Sequence, residues 1–472
     1  MRNSAALRIS EDIETSAVPL LLPEEAIVAP PPAAVPSRRY IPVRNKFVLA
    51  WAFSLSWTLF SWYFGQGWID ELATHIGTLP AYLVVFGIAI IPGFMNAFLV
   101  VSLLLDRRPP RKPLDLPYPE LTILIAAYME EANILSTLES IEKQNYPGVL
   151  QVIVINDGST DNTGPLVRAA RKDYRWLRLI DLRRNIGKAR ALNVGLGEAS
   201  YEIVVTIDGD SYLHKDALKN IVERYMTDPC KTSAVAGCVL VRNSRRNWIT
   251  KMQEWDYFHG IAAIKRIQSL FHGTLVAQGA FSLYSRRVLR EVGGWPNCVG
   301  EDIVLTWAML KAGYRIGHCE DALLFTNVPE TLSIFVRQRQ RWSRGMLEAF
   351  KCHPQILTTR RMATAFIYWN VLFPFLDLIY TVAFIPGIVL ACFGCYWIAG
   401  PMTLALLPLT FIINYLMFRN GKELFDRMGL KVRRNRQGFL LYTLAYSLLL
   451  QPACCLGYVS ELLKLKKTWG TK

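Results

Sequence analysis

The chain has 472 residues, 52% of them apolar, and carries 53 Lys and Arg against 38 Asp and Glu, a formal charge of +15. With a mean hydropathy of +0.21 it is too apolar for one ordinary soluble domain and too charged to lie wholly in a bilayer, so it has to be divided between the two phases. Much of the basic excess flanks apolar stretches, where it meets anionic lipid headgroups, and no nucleic-acid partner is expected.

Residues 1–45 open with Pro-rich and acidic text (Pro30-Pro31-Pro32, Glu24-Glu25) and hold no apolar stretch like a cleavable signal ahead of Phe47, which predicts a disordered cytosolic tail. Phe47 to Phe64 is free of charge and Leu79 to Leu105 is again free of charge. Each is long enough to cross about 30 Å of hydrocarbon, so two transmembrane helices are predicted over 46–106. Basic clusters, Arg38-Arg39, Arg44 and Lys46 before the first and Arg107-Arg108 and Arg111-Lys112 after the second, put both flanks on the inner side. The segment 113–350, of ordinary globular charge density, is then cytosolic.

Within it Leu121–Ala126, Val149–Ile155, Leu177–Leu182 and Ile203–Ile207 are short β-branched runs separated by polar or Gly-containing text and by helix-like stretches such as Glu131–Gln144. That alternation predicts an α/β domain with a mostly parallel sheet and crossover helices. Ligands of such sheets sit at the carboxyl ends of the strands, and Asp157 follows the second run while Asp208 follows the fourth. Asp208-Gly209-Asp210 offers two carboxylates to a hard divalent cation able to neutralise a nucleoside diphosphate; taken alone it is a polar turn. Lys188 and Arg190 fall near a helix start, where cations disfavour the helix itself, so an anionic partner such as the diphosphate is the preferred reading over a solvated basic helix.

Glu301 and Asp302 open another helix-like run, Ile303 to Trp307. There Asp302 either compensates the helix dipole or, as preferred, acts as a general base toward an acceptor hydroxyl. Gln338, Arg341 and Trp342 are spaced i, i+3 and i+4 and share one helical face. Amide, guanidinium and indole together suit a sugar ring and a leaving diphosphate; a basic interfacial helix with a buried Trp is the plainer alternative.

Beyond this, Met362 to Phe418 holds one charged residue, Asp377, and Phe439 to Val459 none, which predicts about three further helices over 362–463. Three crossings would leave Lys464-Leu465-Lys466-Lys467 outside although its charge belongs inside. Either Pro452 marks a broken or half-inserted segment, or Met362 to Phe393 begins with an interfacial helix. The nine cysteines show no zinc spacing and read as small packing residues.

Asp157, Asp208-Gly209-Asp210, Glu301-Asp302 and Gln338 with Arg341-Trp342, in this order, resemble the D, DxD, (T/G)ED and QxxRW series of the processive family-2 glycosyltransferases, the cellulose, chitin, hyaluronan and poly-N-acetylglucosamine synthases. The resemblance spans about residues 45–465. It implies a GT-A catalytic domain inserted between transmembrane helices, a UDP-sugar donor, Mg²⁺ or Mn²⁺, inversion at the anomeric carbon, and a channel exporting the product. It further implies that Asp157 contacts the uridine part of the donor, Asp208 and Asp210 hold diphosphate and metal, Asp302 with Glu301 beside it provides the base, and Gln338, Arg341 and Trp342 form the acceptor and diphosphate site.

Ala127-Tyr128-Met129-Glu130-Glu131 matches the nucleotide segment of the first strand, with Tyr128 and Glu131 as substrate contacts and Met129 where Asn is usual. Gln278-Gly279-Ala280-Phe281 fits the segment lining the sugars, with Gln278 where Ser is usual. Gln253-Glu254-Trp255 resembles the acceptor-side segment. The implied partners are a UDP-sugar, most closely UDP-N-acetylglucosamine, a growing β-linked polysaccharide and the lipid bilayer, with room for an accessory membrane subunit. The implied location is the inner cell membrane, multi-pass, with the catalytic domain cytoplasmic. A non-processive transferase adding one or a few sugars to a lipid is the alternative; a non-enzymatic scaffold is disfavoured by the intact carboxylate series.

Overall fold

A computed structural model describes residues 41–107, 114 and 117–466. The expected tail lies outside the described residues except at its end, where the helix Val43–Ile76 begins three residues early. Its entry is Pro42, whose fixed φ of −56° suits a helix start.

The four β-branched runs become β1 (Leu121–Ala127), β2 (Leu150–Asn156), β3 (Leu177–Asp181) and β4 (Ile203–Ile207). They are joined by β5 (Tyr212–Leu213), β6 (Thr232–Val241), β7 (Phe281–Ser285) and β8 (Arg315–Thr326) in one eight-stranded sheet of order β3-β2-β1-β4-β7-β6-β8-β5. The half from β3 to β4 is parallel; β7 runs antiparallel to both of its neighbours, and β6 pairs with β8 in parallel. Period-two side-chain alternation sends Leu121, Ile123, Ile125, Val152 and Val154 to one face. Leu124, Ile153, Ile155 and Val204 go to the other, under the helix Lys188–Glu198.

That second face is continuous with the membrane-side helices. Phe271 of the sheet domain packs against Phe47, Phe98 and Phe366 with ring centroids 5.1, 5.5 and 6.2 Å apart. Asp106, at the end of the second apolar helix, pairs with Arg266 at 2.5 Å.

Among the described residues three helices are long and apolar enough to cross a membrane: Val43–Ile76, Thr78–Leu105 and Thr364–Cys392. A fourth is formed if the pair Arg436–Leu444 and Tyr446–Leu462, bent by 51°, counts as one span. The break falls at Ala445 rather than at Pro452, which sits inside the second helix of the pair. The other expected crossing within Met362 to Phe418 falls on Pro401–Arg427, whose last turns carry Arg419, Lys422, Glu423 and Asp426 and so shorten its apolar part. All nine cysteines are free.

Candidate active site

The carboxyl ends of β2, β1 and β4 lie side by side, since β1 pairs with both neighbours in parallel register. After β2 the chain turns through Gly158, at φ +69°, where a Cβ would strike the backbone of Arg184 and Asn185 at 2.4 to 2.7 Å; only glycine fits. Asp157, buried beside it, accepts from the backbone amides of Ile186 and Gly187 at 2.7 and 2.9 Å. Both carboxylate oxygens thus fix the turn that launches the Lys188–Glu198 helix. Met129 follows β1 at φ +58°, a left-handed conformation that asparagine tolerates better than methionine. Tyr128 is exposed. Glu131 is engaged within the protein: its Oε2 accepts from the backbone and side-chain amides of Asn162, each at 3.0 Å. No described contact joins Glu131 to the cluster that follows.

That cluster centres on Gly279. Its N–H donates to Asp302 Oδ2 at 3.3 Å, and a Cβ there would lie 3.0 Å from Lys188 Nζ and 3.6 Å from Glu301 Oε1. Lys188 Nζ in turn pairs with Asp208. Burial disfavours the Lys188 ammonium, but Asp208, Glu301 and Asp302 outweigh it and hold its proton above the usual lysine range. Glu301, 6% exposed, is pushed up from 4.5 to about 8 by burial and by Asp302, against the pull of Lys188 and Arg341. Arg341 is held below its ordinary value by burial, with Glu301, Asp208 and Asp302 pulling the other way. Asp302 Oδ1, in the first turn of its helix, accepts from the Ile303 amide at 2.8 Å. Asp210 Oδ1 accepts from Thr326 Oγ1 at 3.2 Å, and Asp208 is anchored through its amide on Ala280 O at 3.2 Å.

Four residues that share no stretch of sequence, Lys188, Asp208, Gly279 and Asp302, are therefore one assembly. Among the described residues no group of three or more His, Cys, Asp or Glu side chains could hold a metal alone. Two carboxylate residues at a strand end do suit Mg²⁺ or Mn²⁺ that completes its oxygen shell with diphosphate and water.

The Gln338–Trp342 segment lies on the amphipathic helix Leu332–Cys352. Gly345 of that helix meets Gly300 backbone to backbone: a Cβ on Gly345 would fall 2.7 Å from Gly300 Cα, and Gly300 N–H donates to Glu348 Oε2 at 2.8 Å. On its other side Gln340 and Ser343 press on Gly457 of the Tyr446–Leu462 helix, and Glu461 binds Arg344 at 3.4 Å and Lys351 at 2.8 Å. Gln338 Oε1 is buried with no hydrogen-bond partner, while Trp342 is 43% exposed.

Gln278 directly precedes Gly279 in the chain. Its amide is spent inside the protein, Oε1 accepting from Lys265 Nζ and Nε2 donating to Gly237 O at 2.8 Å. A register shift between Ala236 and Cys238 leaves Gly237 out of the β6–β8 ladder and frees that carbonyl. Lys265 is buried, which lowers its pKa to about 8 against the pull of Asp302. Sequence reasoning missed Lys265; a lysine in a helical run carries no local mark of burial. Gln253 is likewise buried, donating to Ile249 O and Pro329 O.

Residues 122–293 match the sequence model of Glycosyl transferase family 2. Poly-beta-1,6-N-acetyl-D-glucosamine synthase of Staphylococcus epidermidis is 35% identical over 226 residues, 48% of this chain and 54% of that protein. The protein of the same name from Staphylococcus aureus (strain COL) matches with the same identity and coverage. The chain thus spans about half the length of the curated relatives it matches. Among solved structures, the mannosyltransferase PcManGT from Pyrobaculum calidifontis, in complex with GDP-Man and Mn²⁺, covers 90% of this chain and all of its own at a TM-score of 0.51 and 19% identity, a likeness of fold. The sheet domain has a GT-A fold, and its residues 122–293 are similar to the family-2 glycosyltransferases. In sequence it is similar to the poly-N-acetylglucosamine synthases.

Proposed function

We propose that the protein is a membrane-embedded, inverting glycosyltransferase that polymerises N-acetylglucosamine from a UDP-sugar into a β-linked polysaccharide and exports it, with its catalytic domain on the cytoplasmic side. The observation that carries this reading is the assembly around Gly279, in which Lys188, Asp208 and Asp302 converge, beside a helix that is clamped to the apolar Tyr446–Leu462 helix. The choice of sugar rests on the similarity to the staphylococcal synthases.

In this reading Asp302 takes the proton of the acceptor hydroxyl as it attacks the anomeric carbon. Lys188 and Arg341 meet the charge that builds on the departing diphosphate. Asp208 and Asp210 would hold a divalent cation, which when bound neutralises the diphosphate. Gln338 Oε1, an acceptor without a donor, fits a sugar hydroxyl, because a buried polar atom left unpaired is costly. Trp342 offers its exposed indole to a sugar ring. Asp157 shapes the donor pocket from behind through the 186–187 turn.

The test offers membranes containing the protein a panel of radiolabelled UDP-sugars with Mg²⁺ and sizes the product after glycosidase digestion. Long product from UDP-N-acetylglucosamine is expected. Transfer of one or a few sugars to lipid would establish the non-processive alternative, and absence of sugar transfer from every donor would refute the enzymatic reading.

A further inference from the structure

We propose that Arg339 and Asp256 are positioning residues that set the plane of the Trp342 indole for the acceptor; the inference rests on the reading of Trp342 as the acceptor platform. Arg339 follows Gln338 on the Leu332–Cys352 helix and is 2% exposed, and Asp256 is 7% exposed. Arg339 Nη2 donates to Asp256 Oδ2 at 2.8 Å. Taking two such charges out of water is expensive, and an apolar pair of similar volume would stabilise the fold as well or better. The pair is thus better explained by what it orients.

The guanidinium carbon lies 4.0 Å from the centroid of the Trp342 ring, with Phe335 at 5.0 Å and Tyr446 at 5.9 Å. A planar cation backs the indole, held among aromatic rings and fixed at its far end by Asp256. Asp256 itself begins a π-helical stretch, Asp256–Ala263, a local widening that turns up often at functional sites. Its neighbour Tyr257 brings a second ring to 6.5 Å from Trp342. An indole that is 43% exposed would otherwise be free to change rotamer, and a sugar stacks only on a face that stays in place.

A double-mutant cycle on the full chain in membranes tests this, reading product length and donor hydrolysis side by side. Arg339→Lys keeps a cation for Asp256 but not the planar stack. It is expected to shorten the product roughly 2- to 10-fold, the range of a cation–π contact, more than it slows hydrolysis. In a Trp342→Ala background it should add no further shortening. Product of full length from Arg339→Lys, or an equal additional shortening in the Trp342→Ala background, overturns the proposal. If Arg339→Lys does not accumulate folded, Asp256→Asn takes its place with the same expectations. Unchanged product length in Trp342→Ala alone would sink the acceptor reading and this proposal together; shortening there, without any in Arg339→Lys, sinks only this one.

Discussion

Glu301 and Asp302 are neighbours in one helical turn with different surroundings. Asp302 accepts from Gly279 and Ile303, while Glu301 is buried against Lys188 and Arg341. Replacing Asp302 with Asn keeps the shape and removes the proton acceptor, so Asp302→Asn should lose on the order of 10²- to 10⁴-fold in turnover with donor affinity nearly unchanged. Rates like those of the parent protein in steady-state transfer would remove Asp302 from the chemistry.

Glu301 makes a separate prediction about stability. Its folded pKa, about 8, lies above its ordinary 4.5, so between these values the folded state keeps a proton that the unfolded chain has lost. Its contribution is complete below about 4.5 and fades as pH rises through about 8. Thermal melting in detergent should therefore fall over that window, and Glu301→Gln should flatten the fall. An unchanged slope in the variant would assign the pH dependence to other groups.

At the scale of elements, the Leu332–Cys352 helix joins the turn at Gly300 to the apolar Tyr446–Leu462 helix. Gly345→Ala gains roughly 0.5–1 kcal/mol in helix propensity. Against that, its Cβ would stand 2.7 Å from Gly300 Cα, backbone that cannot turn aside, and overpacking of this kind costs about 1–3 kcal/mol. Strain should win, moving the helix that begins with Glu301 and Asp302. The expected result is a turnover reduced at least roughly 10-fold with the protein still folded, because small displacements at a reacting centre are expensive; full activity would show that the contact has slack.

The parallel half of the sheet was legible because β-branched runs and the two-residue period are local. The order of carboxylates was legible too, and Asp208 and Asp302 do meet around Gly279 through Lys188. What was not legible depends on distant chain segments. The bulge at Gly237 that accepts from Gln278, the burial of Lys265 and Arg339, and the glycine contacts at positions 300, 345 and 457 leave no periodic trace. The same holds for Glu131, since a carboxylate after a strand carries no sequence mark of the Asn162 amides that it accepts from.

For the whole molecule, Asp208 and Asp210 supply too few ligands to keep an ion by themselves, so metal and donor should bind together. EDTA should abolish transfer, Mg²⁺ or Mn²⁺ should restore it, and Asp210→Ala should cost at least roughly 10²-fold, comparable to losing one electrostatic anchor of a transition state. Full activity in chelator would return the Asp208–Asp210 segment to an ordinary turn.

The packing of Phe271 among Phe47, Phe98 and Phe366 also bears on how the molecule comes apart. Cutting the sheet domain away from its flanking helices would strip one side of its interior and leave aromatic rings facing water, a surface that drives aggregation. Denaturation should accordingly proceed as a single cooperative event that includes both phases, and a protease that severs the loops should release no active water-soluble fragment. The flanking apolar helices are thus part of the sheet domain's own interior as well as candidate spans.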